Sequence, residues 1–177
     1  MKTHSTAKSV ATAKPLTKPM TRLGHGKLAD EHDFLARSER PKILDGIQVA
    51  AAEGDRSENA EYIYGRKRLR ELDKRLRYID GLLKNTQVFD QEKVSTERVS
   101  FGSTVKIRDE DGKEKNYTIV GEGETEFHQF GVSWKSPAAR ALLGKSIGDF
   151  VTIHRPIGEI EVEIVLIRSG VFPALEN

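Results

Sequence analysis

Between residues 62 and 83 the apolar positions of this chain step by three and four in alternation: Tyr62, Gly65, Leu69, Leu72, Leu76, Ile79 and Leu83. That is a heptad seam held over three repeats, the pattern of a left-handed coiled coil. Gly65 is its weak member, because it fills no hole and costs about 1 kcal/mol of helix propensity relative to alanine. A helix with one apolar stripe needs a partner, and the residues just upstream offer one. Leu28 and Leu35 lie one heptad apart, and Ile43, Leu44, Ile47 and Ala51 continue the stripe. Pro41 interrupts it, so a kink or local break is expected there, since proline removes a backbone donor and crowds the preceding turn. The short link Gly54-Asp55-Arg56-Ser57 makes an antiparallel hairpin the natural geometry. Arms of roughly 30 residues would reach on the order of 45 Å, well beyond any small domain.

Past Val94 the periodicity changes. Ser103–Arg108 and Lys115–Val120 alternate in character around Asp111-Gly112, a strong hairpin turn. Phe130–Trp134 reads as another strand. Ser136-Pro137 opens a short helix over Ala138–Leu143, with serine at the cap and proline at the first helical position, and Gly144 ends it. Val151–His154 and Glu159–Ile167 are the remaining strands. In the last, Ile160, Val162 and Ile164 face one way and Glu161 and Glu163 the other, before the apolar run Val165–Ile167. The second region is therefore a small α+β domain on an antiparallel sheet. The organisation expected is a disordered basic tail over residues 1–19, a coiled-coil hairpin over 20–90, and the α+β domain over 95–177.

Charge divides along the same line. The chain has 29 Lys/Arg and 27 Asp/Glu, a net of +2, yet residues 1–86 hold 18 basic and 12 acidic side chains while residues 87–177 hold 11 and 15. A basic half joined to an acidic half suggests a separate partner for each. There is no cysteine, which excludes disulfides, thiolate metal sites and cysteine nucleophiles. No apolar run approaches the ~18 residues that would suggest a membrane span. A cytoplasmic protein is expected.

The chemistry gathers at the hairpin tip, in Gly54-Asp55-Arg56-Ser57-Glu58-Asn59-Ala60-Glu61-Tyr62. Two readings stand. Asp55 and Glu58 are spaced like a capping box, or Ser57 caps, and acids at a helix N-terminus are favoured by its dipole. Alternatively, two carboxylates at the end of a rod share a magnesium ion, which prefers oxygen ligands. They make a poor site alone and a useful one if delivered to a second site that supplies the rest. Along the following helix, the run Arg66-Lys67-Arg68-Leu69-Arg70 with Lys74, Arg75 and Arg77 is either a solvated face or a phosphate track. On a helical wheel Arg66, Lys67, Arg70, Lys74 and Arg77 gather on one flank of the seam, which suits a nucleic-acid backbone running past the tip. Tyr78, at its far end, reads as packing or as a stacking surface. Trp134, His128 and His154 read as structural or surface residues, and His25 and His32 have no zinc-site spacing.

The stretch GDRSENAEY is similar to the tip signature of the Gre family of bacterial elongation factors, and KRLRELDKRLRYI resembles the family's second coiled-coil helix. Arg56-Ser57 and the dense basic residues look like the GreB branch. Ser136-Pro137, Arg140–Lys145 and Gly148-Asp149 resemble the family's C-terminal domain, whose fold is FKBP-like. The resemblance covers about residues 20–170. It implies an accessory factor rather than an enzyme, a monomer whose hairpin enters the secondary channel of RNA polymerase. Asp55 and Glu58 would help hold the second catalytic magnesium, Ser57 could assist water placement, and the backtracked 3′ RNA would be cut by two-metal chemistry. Arg66, Lys67, Arg70, Lys74 and Arg77 would contact that RNA. Two other readings are a channel-binding regulator that does not promote cleavage, and a coiled-coil nucleic-acid binder unrelated to polymerase. Fold similarity alone implies no prolyl isomerase activity.

Overall fold

The computed structural model describes residues 18–170, with Asp55, Ser57 and Asn85 excepted. Most of the expected basic tail, residues 1–17, lies outside the described residues; Lys18 and Pro19 belong to the base of the hairpin. The first arm is helical throughout, as α1 (Arg22–Phe34), a π-helical turn (Leu35–Glu39) and α2 (Arg40–Ala52). The interruption expected at Pro41 takes the form of this turn. Arg40 N–H reaches back to the Leu35 carbonyl, five residues away. Widening the helix just ahead of the proline lets the chain pass a residue that a regular turn would reject.

The second arm is α3 (Ala60–Leu83), 24 residues and so about 36 Å long. Its seam faces the first arm as expected. Leu69, Leu72 and Ile79 are buried and the other four positions half-buried. Near the tip Leu69, Leu72 and Leu76 pack with Ile43, Leu44 and Ile47; near the base Ile79 packs with Leu28 and Met20. Gly65 is not an empty position. A Cβ there would come 2.8 Å from Ile47 Cγ1, so the isoleucine occupies the missing side chain's space. Ion pairs across the seam run in antiparallel register, Glu39–Arg68 at 3.2 Å, Arg40–Asp73 at 2.9 Å and Glu31–Arg75 at 2.7 Å, and His32 meets Asp80 at 3.0 Å.

The hairpin closes at its base through two short parallel strands, β1 (Pro19–Thr21) and β2 (Gln87–Phe89). The C-terminal domain then builds a five-stranded sheet from β3 (Ser103–Asp109), β4 (Glu114–Val120), β5 (Gly131–Ser133), β6 (Phe150–Arg155) and β7 (Gly158–Ser169), in the order β5-β4-β3-β7-β6. All pairings are antiparallel except that β5 lies parallel to β4. The β3–β4 turn uses Gly112 at φ 76°. Between Lys106 and Ile107 the β3–β7 register skips Val165, a bulge that moves the buried face of β7 from Val162 and Ile164 to Ile167. That is why the alternation breaks in the run Val165–Ile167. Helix α4 (Pro137–Leu142) is capped by Ser136, whose hydroxyl accepts from Ala139 N–H at 3.1 Å, and it buries Ala139 and Leu142 in the sheet's core.

The two parts meet at a buried polar joint that no local pattern announces. Glu124, with none of its surface exposed, accepts the Thr21 N–H at 3.0 and 3.1 Å and also takes the Thr21 hydroxyl and the Gly121 N–H. With its proton given to Glu124, the Thr21 hydroxyl accepts from Gly24 N–H at 3.0 Å and from His128 Nε2, 2.9 Å away. A carboxylate thus sits at the positive end of α1, where the helix dipole favours it. His128 is a buried structural residue of this joint.

Candidate functional site at the hairpin tip and along the second arm

The turn between the arms is pinned by Asn59. Its side-chain oxygen accepts from Tyr62 N–H at 3.0 Å and caps α3, while its Nδ2 donates across the turn to the Ala50 carbonyl at 2.7 Å. Gly54 adopts φ 142°, a conformation open to glycine and strained for other residues. The capping expected of Asp55, Ser57 and Glu58 is therefore supplied by Asn59. Asp55, Ser57 and Asn59 are all of capping type and lie within five residues of one another. The capping-box spacing of an acid three residues on points to Asp55, not to Asn59, whose third residue on is Tyr62.

Relieved of capping, Glu58 projects into solvent and forms no hydrogen bond or ion pair among the described residues; the same holds for Arg56. Asp55 and Ser57, the other candidate tip residues, lie outside the described residues. Glu58 is a free, hard oxygen donor at the end of a projecting rod, which fits one ligand of a magnesium ion shared with another macromolecule. Among the described residues no three His, Cys, Asp or Glu side chains come together to hold a metal. Three large apolar side chains near the tip are exposed, Val49 at 62%, Ile63 at 53% and Tyr64 at 67%. Sequence reasoning passed over them because they lie off the seam. Exposed apolar surface of this kind marks a contact region when it is grouped.

Along α3 the structure sorts the basic run in two. Arg68 and Arg75 face the first arm and are engaged: Arg75 donates to both oxygens of Glu31 at 2.7 Å each. Those hydrogen bonds hold the Arg75 guanidinium above the usual arginine range, outweighing the opposing effect of its partial burial. Arg66, Lys67, Arg70, Lys74 and Arg77 are all exposed and have no acidic or hydrogen-bonding partner among the described residues. The five cations gathered by the helical wheel are thus the unpaired ones. The stripe runs from near the tip to Arg77, which borders a cavity at the base of the hairpin.

Comparison with known proteins matches both parts of the chain. The family described as "Transcription elongation factor, N-terminal" matches residues 18–88, and "Transcription elongation factor, GreA/GreB, C-term" matches residues 94–169. Transcription elongation factor GreB of Pasteurella multocida is 45% identical, over 78% of this chain and 88% of its own. Transcription elongation factor GreA of Alkalilimnicola ehrlichii is 46% identical, over 85% of this chain and 96% of its own. Among solved structures, the GreA factor homolog 1 (Gfh1) protein of Thermus thermophilus is 21% identical, with a TM-score of 0.40 over 85% of this chain and 98% of that one.

Proposed function

Because the chain belongs to the GreA/GreB family of transcription elongation factors, we propose that it inserts its hairpin, tip first, into the secondary channel of bacterial RNA polymerase and stimulates cleavage of the backtracked 3′ RNA. The observation that carries this reading is Glu58: an unpaired carboxylate at the end of a rod about 36 Å long, with its turn fixed by Asn59 rather than by the acid itself. A carboxylate spent on capping would be unavailable to a partner; this one has none among the described residues.

On this reading the chain is an accessory factor, and the polymerase owns the active site. Asp55 and Glu58 would hold a magnesium ion together with ligands from the polymerase and the transcript. That ion, when bound, would polarise the scissile phosphate and favour hydroxide formation from water. Ser57 lies between the two acids in sequence and would hydrogen-bond and orient the attacking water. Arg66, Lys67, Arg70, Lys74 and Arg77 would neutralise successive phosphates of the extruded strand, and their lack of acidic partners leaves their charge available for it. The exposed Val49, Ile63 and Tyr64 would lie against the channel wall. The acidic C-terminal domain would anchor the factor at the channel's outer rim. The seam is buried within one chain, which supports action as a monomer, and a polymerase partner supports action in the cytoplasm. The GreB relative and the density of free cations support the GreB type.

The test is cleavage of a stalled polymerase–RNA complex by wild type, Asp55→Asn and Glu58→Gln across a magnesium series, with circular-dichroism melts alongside. Each variant should cut at least about tenfold more slowly, in line with the usual penalty for weakening a metal's surroundings. Each should melt with wild type and recover in part at raised magnesium. Wild-type cutting by both variants at every magnesium level would remove the metal-ligand role. A wild-type protein that binds the complex without releasing 3′ fragments would make the chain a channel-occupying regulator instead.

A further inference from the structure

We propose that the cavity between the hairpin base and the C-terminal domain is a nucleobase pocket, which holds one nucleotide of the extruded single-stranded RNA where the basic stripe ends. The inference rests on the reading that RNA runs along α3. The cavity has a volume of about 350 Å³, within the usual range of small-molecule sites. Its walls come from both parts of the chain: Met20, Tyr78 and Leu82 from the hairpin, Glu122 and Trp134 from the sheet domain, and Arg77 at the mouth.

Each of these supplies something that a nucleotide needs. Tyr78 is 49% exposed although it lies on a packed helix, and Trp134 is only half-buried; aromatic faces of this kind stack on any base. Arg77 is both the last unpaired cation of the stripe and part of the wall, so the phosphate track leads into the cavity without a break. Glu122 would repel phosphate if it were alone, but Lys135 pairs with it at 2.9 Å, which leaves its oxygens as acceptors for a base amino group. The Lys135 ammonium also lies 5.6 Å from the Trp134 ring centroid and steadies the ring.

Gly81 gives independent support. It lies within α3, where glycine is a poor helix former, and a Cβ built there meets no atom within 4 Å. Packing does not demand a glycine. The residue is part of the cavity wall, and the space beside it is open. Lys18, also part of the wall, donates to the Gly81 carbonyl at 2.7 Å. From Ala60, the first residue of α3, to Arg77 the helical rise is about 26 Å. At the stacked spacing of about 3.4 Å per phosphate, a strand cut at the tip reaches the pocket with about eight nucleotides extruded.

Trp134 is the chain's one tryptophan and reports on the site directly. Its fluorescence in the full chain is titrated with AMP, with UMP and with ribose 5-phosphate. Saturable quenching by both nucleotides and none by the sugar phosphate is expected. Gly81→Leu, which fills the pocket while improving helix propensity, and Tyr78→Ala should weaken that binding by about tenfold or more. In cleavage assays Gly81→Leu should slow complexes backtracked by about ten nucleotides at least fivefold more than those backtracked by two. Absence of saturable nucleotide quenching overturns the pocket, as does an equal loss at both lengths, which would mean that the cavity receives a polymerase side chain. If wild type cuts neither complex, the cleavage reading fails, and the nucleotide titration alone still decides whether a base binds.

Discussion

Replacing Asn59 by alanine removes two bonds that do different things. One is the cap to Tyr62 N–H at 3.0 Å, and the other ties the turn to the Ala50 carbonyl at 2.7 Å. Loss of a helix N-cap costs about 1 kcal/mol, and a part-buried neutral hydrogen bond contributes about 1 kcal/mol more. The variant should therefore lose about 2 kcal/mol locally. Because Asn59 belongs to neither hydrophobic cluster of the hairpin, the loss should appear as local opening rather than global unfolding. At that size, backbone amides of residues 62–65 should exchange roughly 30-fold faster, while amides of the β3–β4 hairpin keep their wild-type rates. Asn59→Asp keeps an acceptor for the cap and loses the donor to Ala50, so it should show about half the effect. The assay is hydrogen exchange read by mass spectrometry or NMR, with Glu58→Gln as the control expected to match wild type. Wild-type protection in Asn59→Ala would refute the assignment of the cap and, with it, the argument that Glu58 is free because Asn59 does the capping.

Gly24→Ala gains about 1 kcal/mol of helix propensity, but its Cβ would overlap the Glu124 carboxylate. Overpacking of about 1–3 kcal/mol and weakened bonds to a charged group of about 1.5–3 kcal/mol outweigh the gain. A thermal midpoint lower by about 4–8 °C is expected for a net loss near 2 kcal/mol, and an unchanged or raised midpoint would count against the joint. Neutralising Arg66, Arg70 and Arg77 together should make the salt dependence of RNA binding shallower by about 2 in log–log slope, since each phosphate contact on a single strand contributes about 0.7; an unchanged slope would mean that the stripe meets no phosphate. Hydrogen bonds from Lys106 and Arg108 hold the Glu114 carboxyl below its usual range. A lowered carboxyl pKa stabilises the fold above the unfolded-state value and loses that effect as pH falls through the folded one. Glu114→Gln should thus melt slightly below wild type at neutral pH, and the two curves should converge under acid, once pH has fallen through the lowered range of Glu114.

Features set by periodicity or by neighbouring residues were legible in the sequence. The seam from Tyr62 to Leu83, the Asp111-Gly112 turn and the Ser136-Pro137 helix start each rest on residues within a few positions of one another. The stripe was legible for the same reason, since helical spacing alone puts its five cations on one flank. Which cations stay free was not, because the pairing of Arg68 with Glu39 and of Arg75 with Glu31 depends on the register between the arms. Asn59 was missed because Asp55 and Glu58 have capping-box spacing and Ser57 offered a further local cap. The joint was missed because Thr21 and Glu124 are 103 residues apart. The parallel lie of β5 on β4 and the β1–β2 pair likewise depend on where the chain returns, and three-residue strands carry too little alternation to reveal it.

The buried carboxylate at the foot of α1 also governs aim. A hairpin mounted on a second domain behaves as a lever, and its length multiplies any angular error at the mount. Over about 36 Å, a tilt of roughly 5° moves the far end by about 3 Å, whereas a misplacement of about 1 Å at a reacting centre can cost a hundredfold in rate. Glu124 grips the first residue of the lever through several hydrogen bonds at once and excludes water from them. The mount is stiff where stiffness counts most. Substitutions at Thr21, Gly24 or Glu124, a full helix length from the acidic end, should therefore scatter its position and act on chemistry that none of the three residues touches.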